Sequence, residues 1–287
     1  MNIDAYLDRI GLSGPLPPTL DTLTKVHRAH LRAIPYENLD VQLGRPVTIE
    51  RPPIFDKIVT RRRGGWCYEM NGLLGWGLGE LGFRVTRATG AVMRETFGEP
   101  TEGNHLVLRV ELDEGLYLAD VGFGDGPLEP IRIAEGGFSS NGLPFSVSRV
   151  DENWWRLRNH PWGGAPSFDF NLAPADESRL AARCHELQTA PDSHFVLNLF
   201  CFRFRENGVV GVRGRVVRTV TADGCEDRIL NSADELVRFF DEELNLRDPE
   251  LGSLWPKICA RHQAVMAEHG EGISPPEDPP RQPSSEP

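Results

Sequence analysis

Three side chains in this sequence have the types and settings that nucleophilic catalysis needs: Cys67, His105 and Asp120. Cys67 follows Gly64-Gly65 in RRRGGWCYEMNG (61–72), beside three arginines and at the head of an apolar run. A thiol becomes a strong nucleophile as its thiolate, and a helix N-terminus, an imidazolium or cationic neighbours lower its pKa. The two glycines give a flexible approach to a helix starting near Cys67, so the setting favours a thiolate. A buried small residue on an amphipathic helix is the competing reading. Such a nucleophile needs a base, and the base needs an orienting group. Of the eight histidines, His105 stands apart because it opens an otherwise apolar strand after Gly103-Asn104. His27 and His30 read as surface residues on a polar helical stretch. His262 and His269 lie near the C-terminus, and His160, His185 and His194 are flanked by loop or helix signals. Asp120 interrupts the apolar run YLADVGF, where an unpaired carboxylate is costly to bury. One short turn joins the two segments, which places them on adjacent strands. The sequence does not set the hairpin register. A His105–Asp120 contact and a solvated strand-end histidine with an edge aspartate both stay open.

The elements that must position these groups follow from periodicity. Ile3, Tyr6, Leu7 and Ile10 fall at helical spacing, as do Leu20, Leu23 and Val26, and then Ile54, Phe55, Ile58 and Val59. A fourth helix runs from Cys67 to about Leu81, and Gly82 stops it. From about Arg84 the pattern changes to short branched and aromatic runs bounded by turn residues: HLVLRVEL (105–112), LYLADVGFG (116–124) and PFSVSRV (144–150), with DEG (113–115) as a hairpin turn. A helix is expected after Pro174. FVLNLFCFRF and VVGVRGRVVRTV read as strands around a turn at Glu206-Asn207-Gly208. A last helix begins at Ser232, with Ser232 and Glu235 as a capping box. The end, ISPPEDPPRQPSSEP, is proline-rich and is expected to be disordered.

Composition narrows the function. At 287 residues, with 39% hydrophobic and 25% charged residues, the chain reads as two or three subdomains with cores. No apolar run reaches the length of a membrane span, and MNIDAYLDRIGL lacks the build of a secretory signal. The net charge of −11 argues against a nucleic-acid backbone as partner, though it leaves room for a local basic pocket for a phosphorylated small molecule. Five scattered cysteines without a C-x-x-C pair read poorly as a disulfide framework or a zinc site, and point to a reduced, cytoplasmic protein with no metal.

RGGWCYEMNG, then NHLVLRV and YLADVGFG, with IPYENLD (34–40) before them and PDSHF (191–195) after, resemble the arylamine N-acetyltransferase family in order over about residues 3–265. The resemblance implies an α+β fold of three domains with a cysteine-protease-like triad. These are an N-terminal helical bundle carrying the nucleophile (1–82), a central antiparallel β-barrel carrying His and Asp (83–173), an interdomain helix (174–190) and a C-terminal α/β lid (191–268). Residues 269–287 form the expected disordered tail. It also implies that Cys67 accepts the acyl group, that His105 is its base and that Asp120 orients the histidine. Arg63 would tie the loop to Glu37 and Asn38. Tyr36, Val92, Phe123 and Phe195 would line the acceptor pocket, with Tyr36 standing where the family usually has phenylalanine. Asn104, Gly122 and Gly124 would approach the pantetheine of coenzyme A, whose nucleotide has no Walker or Rossmann motif to hold it. The implied activity is ping-pong transfer of acetyl from acetyl-CoA to an arylamine or hydrazine through an acetyl-cysteine, in xenobiotic or biosynthetic chemistry. The rivals are a macrolactam-forming amide synthase acting on a polyketide thioester, a thiol hydrolase and an idle binding module. Self-association into a homo-oligomer is left open.

Overall fold

The computed structural model describes residues 1–269. The expected tail falls outside them from residue 270 on. The chain starts with α1 (Ile3–Arg9), whose N-terminus is capped by the Asn2 side chain accepting from Asp4 and Ala5 N–H groups. Thr19 caps α2 (Leu20–Ala33) in the same way. A two-residue strand, β1 (Tyr36–Glu37), precedes α3 (Leu39–Gln42) and α4 (Arg51–Phe55), which runs into a wide π turn over 56–60. The fourth expected helix is α5 (Cys67–Glu80). Its Gly77 lets the Tyr6 ring approach so closely that a Cβ there would lie 2.6 Å from Cε1. The core of this region joins Tyr6, Leu23, Val26, Ile58, Leu74 and Leu78. His27 and His30 are buried in it, contrary to their polar surroundings in sequence. Tyr6 Oη lies 2.9 Å from His30 Nδ1.

An eight-stranded antiparallel sheet follows: β2 (Arg84–Val92), β3 (His105–Leu112), β4 (Gly115–Ala119), β5 (Ile131–Arg132), β6 (Gly136–Ser140), β7 (Leu143–Arg149), β8 (Trp154–Arg158) and β9 (Ser167–Pro174), with α6 (Arg94–Phe97) between β2 and β3. Their order is β5-β4-β3-β2-β9-β8-β7-β6. The edges β5 and β6 do not pair, so the expected closed barrel is an open half-barrel. β5 is two residues long and preceded by Pro130, which has no N–H for a ladder. The hairpin between β3 and β4 turns at Asp113-Glu114, with Leu112 opposite Gly115. The run expected as a strand to residue 124 leaves the ladder after Ala119.

Helix α7 (Glu177–Thr189) is capped by Asp176. The sequence FVLN, expected as strand, begins as the short helix α8 (His194–Leu197) and pairs only from β10 (Phe200–Arg205). β11 (Gly208–Arg213), β12 (Val216–Thr221) and β13 (Gly224–Ile229) continue a five-stranded antiparallel sheet, whose other edge is β1. The single strand expected over 209–220 is thus two, broken at Gly214. Ser232 caps α9 (Ala233–Glu242), accepting from Glu235 N–H at 3.1 Å, but the Glu235 carboxylate accepts from Asn231 N–H rather than closing the box. A further helix, α10 (Trp255–His269), was not expected. No helix among the described residues is long and apolar enough to cross a membrane.

Candidate active site

The loop before α5 is held by buried ion pairs. Lys57 Nζ reaches both Glu69 carboxylate oxygens, at 2.9 and 2.8 Å, and Asp40 Oδ2 at 2.8 Å. Arg63 donates to Glu37 and Asp40, each at 3.3 Å, and to Asp248 at 2.7 Å. An Arg63–Glu37 contact is therefore present, but Nη2 is shared between Glu37 and Asp40 while Nη1 serves Asp248, so it is not a fork on one carboxylate. Asn38 does not meet Arg63. Its amide donates to the Phe195 and Asn198 carbonyls at 2.9 and 2.8 Å and accepts from Phe200 N–H, so it joins β1 to the segment entering β10. Burial lifts the Glu69 carboxyl to about 7, with Lys57 pulling the other way. Burial works against the Lys57 ammonium, but Glu37, Glu69 and Asp40 outweigh it and keep the group charged.

Cys67 is the first residue of α5, and Glu69 accepts from the preceding Trp66 N–H. The Cys67 thiol lies 3.8 Å from the Asn104 carbonyl. His105 opens β3, and its Nε2 lies 2.8 Å from Asp120 Oδ2. The open question of the hairpin is settled as contact. Asp120 sits just past β4, where its other oxygen accepts from Asn71 Nδ2 at 2.7 Å and Gly122 N–H at 2.8 Å. Burial raises the Asp120 pKa, but His105, Asn71 and Gly122 N–H prevail and hold it below the usual carboxylate value. An ionised Asp120 requires the His105 proton on Nε2, which leaves Nδ1 as the basic nitrogen. Two supports were missed in sequence. His27 accepts from Asp120 N–H at 3.2 Å and its Nδ1 faces the Leu128 carbonyl at 2.9 Å. Asn71 also donates to Leu106 O and accepts from Val121 N–H, so one amide locks three segments.

The expected resting thiolate is not supported by the surroundings of Cys67. Burial, then the nearby Cys184, push the thiol well up, and the Leu106 and Tyr68 backbone groups only partly oppose this. The neighbouring arginines do not help. Arg61 and Arg62 are exposed, and Arg63 is spent on carboxylates. An ionised sulfur here needs its proton on His105 as a pair.

Cys67 and His105 open onto a cavity of about 700 Å³. Tyr36, Val92, Phe123 and Phe195 all line it. Phe123 and Phe168 pack on the His105 ring, at 6.0 and 5.1 Å between centroids. Asn104 borders the cavity, but its side chain is used on both backbone groups of Val92. Gly122 lines the cavity too and packs closely on α5: a Cβ there would lie 2.7 Å from Cys67 Cα. Gly124 is not on the wall; it packs under Phe202. Phe97, Phe200, Phe202, Arg183 and Arg213 line the cavity without having been singled out in sequence. The alternation in FCFRF was the available signal for Phe200 and Phe202. Among the described residues, no group of three His, Cys, Asp or Glu side chains could hold a metal ion.

Comparison with known proteins bears on this arrangement. A family profile described as N-acetyltransferase matches residues 19–249, which include Cys67, His105 and Asp120. The arylamine N-acetyltransferase of Mycolicibacterium smegmatis is 36% identical over 261 residues, 88% of this chain and 94% of that protein. This chain belongs to the arylamine N-acetyltransferase family. Arylamine N-acetyltransferases are acyltransferases, and other members align as well. The Mycobacterium marinum arylamine N-acetyltransferase, solved in complex with CoA, superposes with a TM-score of 0.81 at 31% identity, covering 92% of this chain and 99% of that one. The Nocardia farcinica arylamine N-acetyltransferase covers 94% of this chain and 96% of its own, at 33% identity and a TM-score of 0.78.

Proposed function

We propose that this enzyme carries an acetyl group from acetyl-CoA to the nitrogen of an arylamine or hydrazine through an acetyl-Cys67 intermediate. The observation that carries this reading is the Asp120–His105 hydrogen bond beside Cys67 on the wall of an apolar cavity. In the first half, the Cys67 proton passes to His105 Nδ1 as the sulfur attacks the thioester carbonyl. The carbon–sulfur bond to CoA breaks, and the CoA thiolate takes the proton from His105. In the second half, the amine nitrogen attacks the acetyl carbon, gives a proton to His105 and releases Cys67, which is reprotonated. Asp120 keeps the imidazole in the tautomer that presents Nδ1 and balances its charge when protonated. Aromatic walls at Tyr36, Phe123, Phe195, Phe200 and Phe202 reward burial of a flat ring and offer water few partners. That favours an amine over water as acceptor.

In the same reading, residues 1–82 supply the nucleophile, 83–173 the His–Asp pair, 174–190 the connection and 191–268 the cover. A nucleophile of this kind needs a reducing compartment, and none of the five cysteines is paired, so we place the enzyme in the cytoplasm. The test is kinetic. Initial rates with varied arylamine at several acetyl-CoA levels should give parallel double-reciprocal lines, and intact mass should show one acetyl group on Cys67 before amine is added. Intersecting lines with no acetylated Cys67 would refute the route. Rapid CoA release indifferent to amine would make the enzyme a hydrolase.

A further inference from the structure

Tyr36 differs from the rest of the cavity's hydrophobic wall. Val92, Phe123, Phe195, Phe200 and Phe202 present only carbon, and Tyr36 adds a hydroxyl. Its position is fixed from two sides. The backbone pairs with Phe202 on β10 and bridges to Gly65, two residues before Cys67. The Tyr36 and Phe202 rings lie 6.1 Å apart. The side chain is nearly sealed, with 9% of the residue exposed. Yet the hydroxyl has no hydrogen-bond partner among the described residues, and it is not one of the buried polar atoms cut off from solvent. It therefore opens onto the cavity.

The state of that hydroxyl follows from its surroundings. Burial first, with the acidic groups around it adding to the effect, holds the phenol protonated. It is a donor looking for an acceptor, in a wall that otherwise has no use for one.

We propose that Tyr36 is a specificity-determining residue of the acceptor site: its hydroxyl selects aromatic amines that carry a hydrogen-bond acceptor, such as an amide carbonyl, an ether oxygen or a ring nitrogen, over alkyl-substituted amines. This inference rests on the acyl-transfer reading above for the identity of the ligand, and on the cavity for its geometry. A hydrogen bond of this kind, made against competition from water, is worth about tenfold in affinity.

The test compares wild type with Tyr36→Phe, which removes one oxygen and keeps the ring. The substrates are 3- and 4-aminobenzamide and 4-ethylaniline. Both kcat/KM with acetyl-CoA and equilibrium binding of each amine to the free enzyme by calorimetry are measured. In wild type, an aminobenzamide isomer should lead ethylaniline. In Tyr36→Phe the ratio of that aminobenzamide to ethylaniline should fall about tenfold in kcat/KM, with a matching fall in binding. An unchanged ratio, or an equal loss for all the amines, overturns the inference and leaves acyl transfer standing. If the wild type binds the amines but acetyl-CoA never acetylates Cys67, the acyl-transfer reading fails, and the binding ratio still decides the role of Tyr36.

Discussion

Replacing Gly122 by alanine tests whether close packing sets the geometry of the nucleophile. The added Cβ would lie 2.7 Å from Cys67 Cα, 2.7 Å from Asn71 Nδ2 and 3.0 Å from Cys67 Cβ. Ordinary contact begins at 3.4 Å, so the neighbours must give way by about 0.7 Å. Neither moves freely. Cys67 Cα belongs to the first turn of α5, and Asn71 Nδ2 is bonded to Leu106 O and Asp120 Oδ1. Overpacking of this kind costs about 1–3 kcal/mol, and 2 kcal/mol would lower Tm by roughly 4–8 °C in a chain near this size. The larger effect should be on chemistry. A shift approaching 1 Å between reacting groups costs about 10²-fold in rate. The assay is single-turnover acetylation of Cys67 by acetyl-CoA, followed by intact mass, alongside a thermal melt. Gly79→Ala is the control: it lies in the same helix with nothing within 4 Å. It should stabilise by about 0.5–1 kcal/mol and leave acetylation unchanged. If Gly122→Ala acetylates at the wild-type rate, the packing of the 120–122 segment on α5 does not set the reacting geometry, and the argument fails.

Asp120→Asn keeps the shape but loses the charge and the tautomer control, so Cys67 acetylation should fall by about 10²-fold or more; near-normal acetylation would remove Asp120 from the relay. Glu69 titrates at about 7 in the folded chain against an ordinary 4.5. The folded state thus keeps a proton that the unfolded chain releases, and stability should decline as pH rises through that window and level off above it. Melts of Glu69→Gln between pH 4.5 and 7.5 should lack that component, and parallel pH profiles for the two proteins would show that Glu69 does not titrate there. Iodoacetamide should modify Cys67 faster than the buried Cys184 and Cys201, and acetyl-CoA should abolish labelling at Cys67 while sparing the exposed Cys225; peptide mapping that finds Cys67 unprotected would separate the thiol from the donor site.

Cys67, His105 and Asp120 could be picked out in sequence because each breaks a local pattern: a thiol after two glycines, a histidine opening an apolar strand, a carboxylate inside one. Their supports could not. His27 and Asn71 reach Asp120 from 93 and 49 residues away, and His27 sits in a helix whose visible face is polar. Periodicity located α1, α2 and α5, where apolar residues recur, and missed α10, although Trp255, Ile258, Val265 and Met266 fall at helical spacing there too. It overran β4 because Val121 and Phe123 continue the apolar alternation after the ladder has ended. Arg63 was visible as a tether, but Asp248, its shortest partner at 2.7 Å, lies 185 residues away with no local sign of the contact.

Asn38 also sets an order of events during synthesis. Its amide oxygen accepts from Phe200 N–H, 162 residues later in the chain. A ribosome adding about 5–20 residues per second needs roughly 8–32 s to cover that interval. For the last 133 residues of it, roughly 7–27 s, Cys67 has been made while β10 and the wall carrying Phe200 and Phe202 have not. The nascent enzyme therefore passes through a period in which the Cys67 thiol exists without its cover. Chains stalled before residue 195 should expose Cys67 to a bulky maleimide that the finished protein excludes, and equal labelling of stalled and finished chains would show that the first half of the molecule shields the thiol alone.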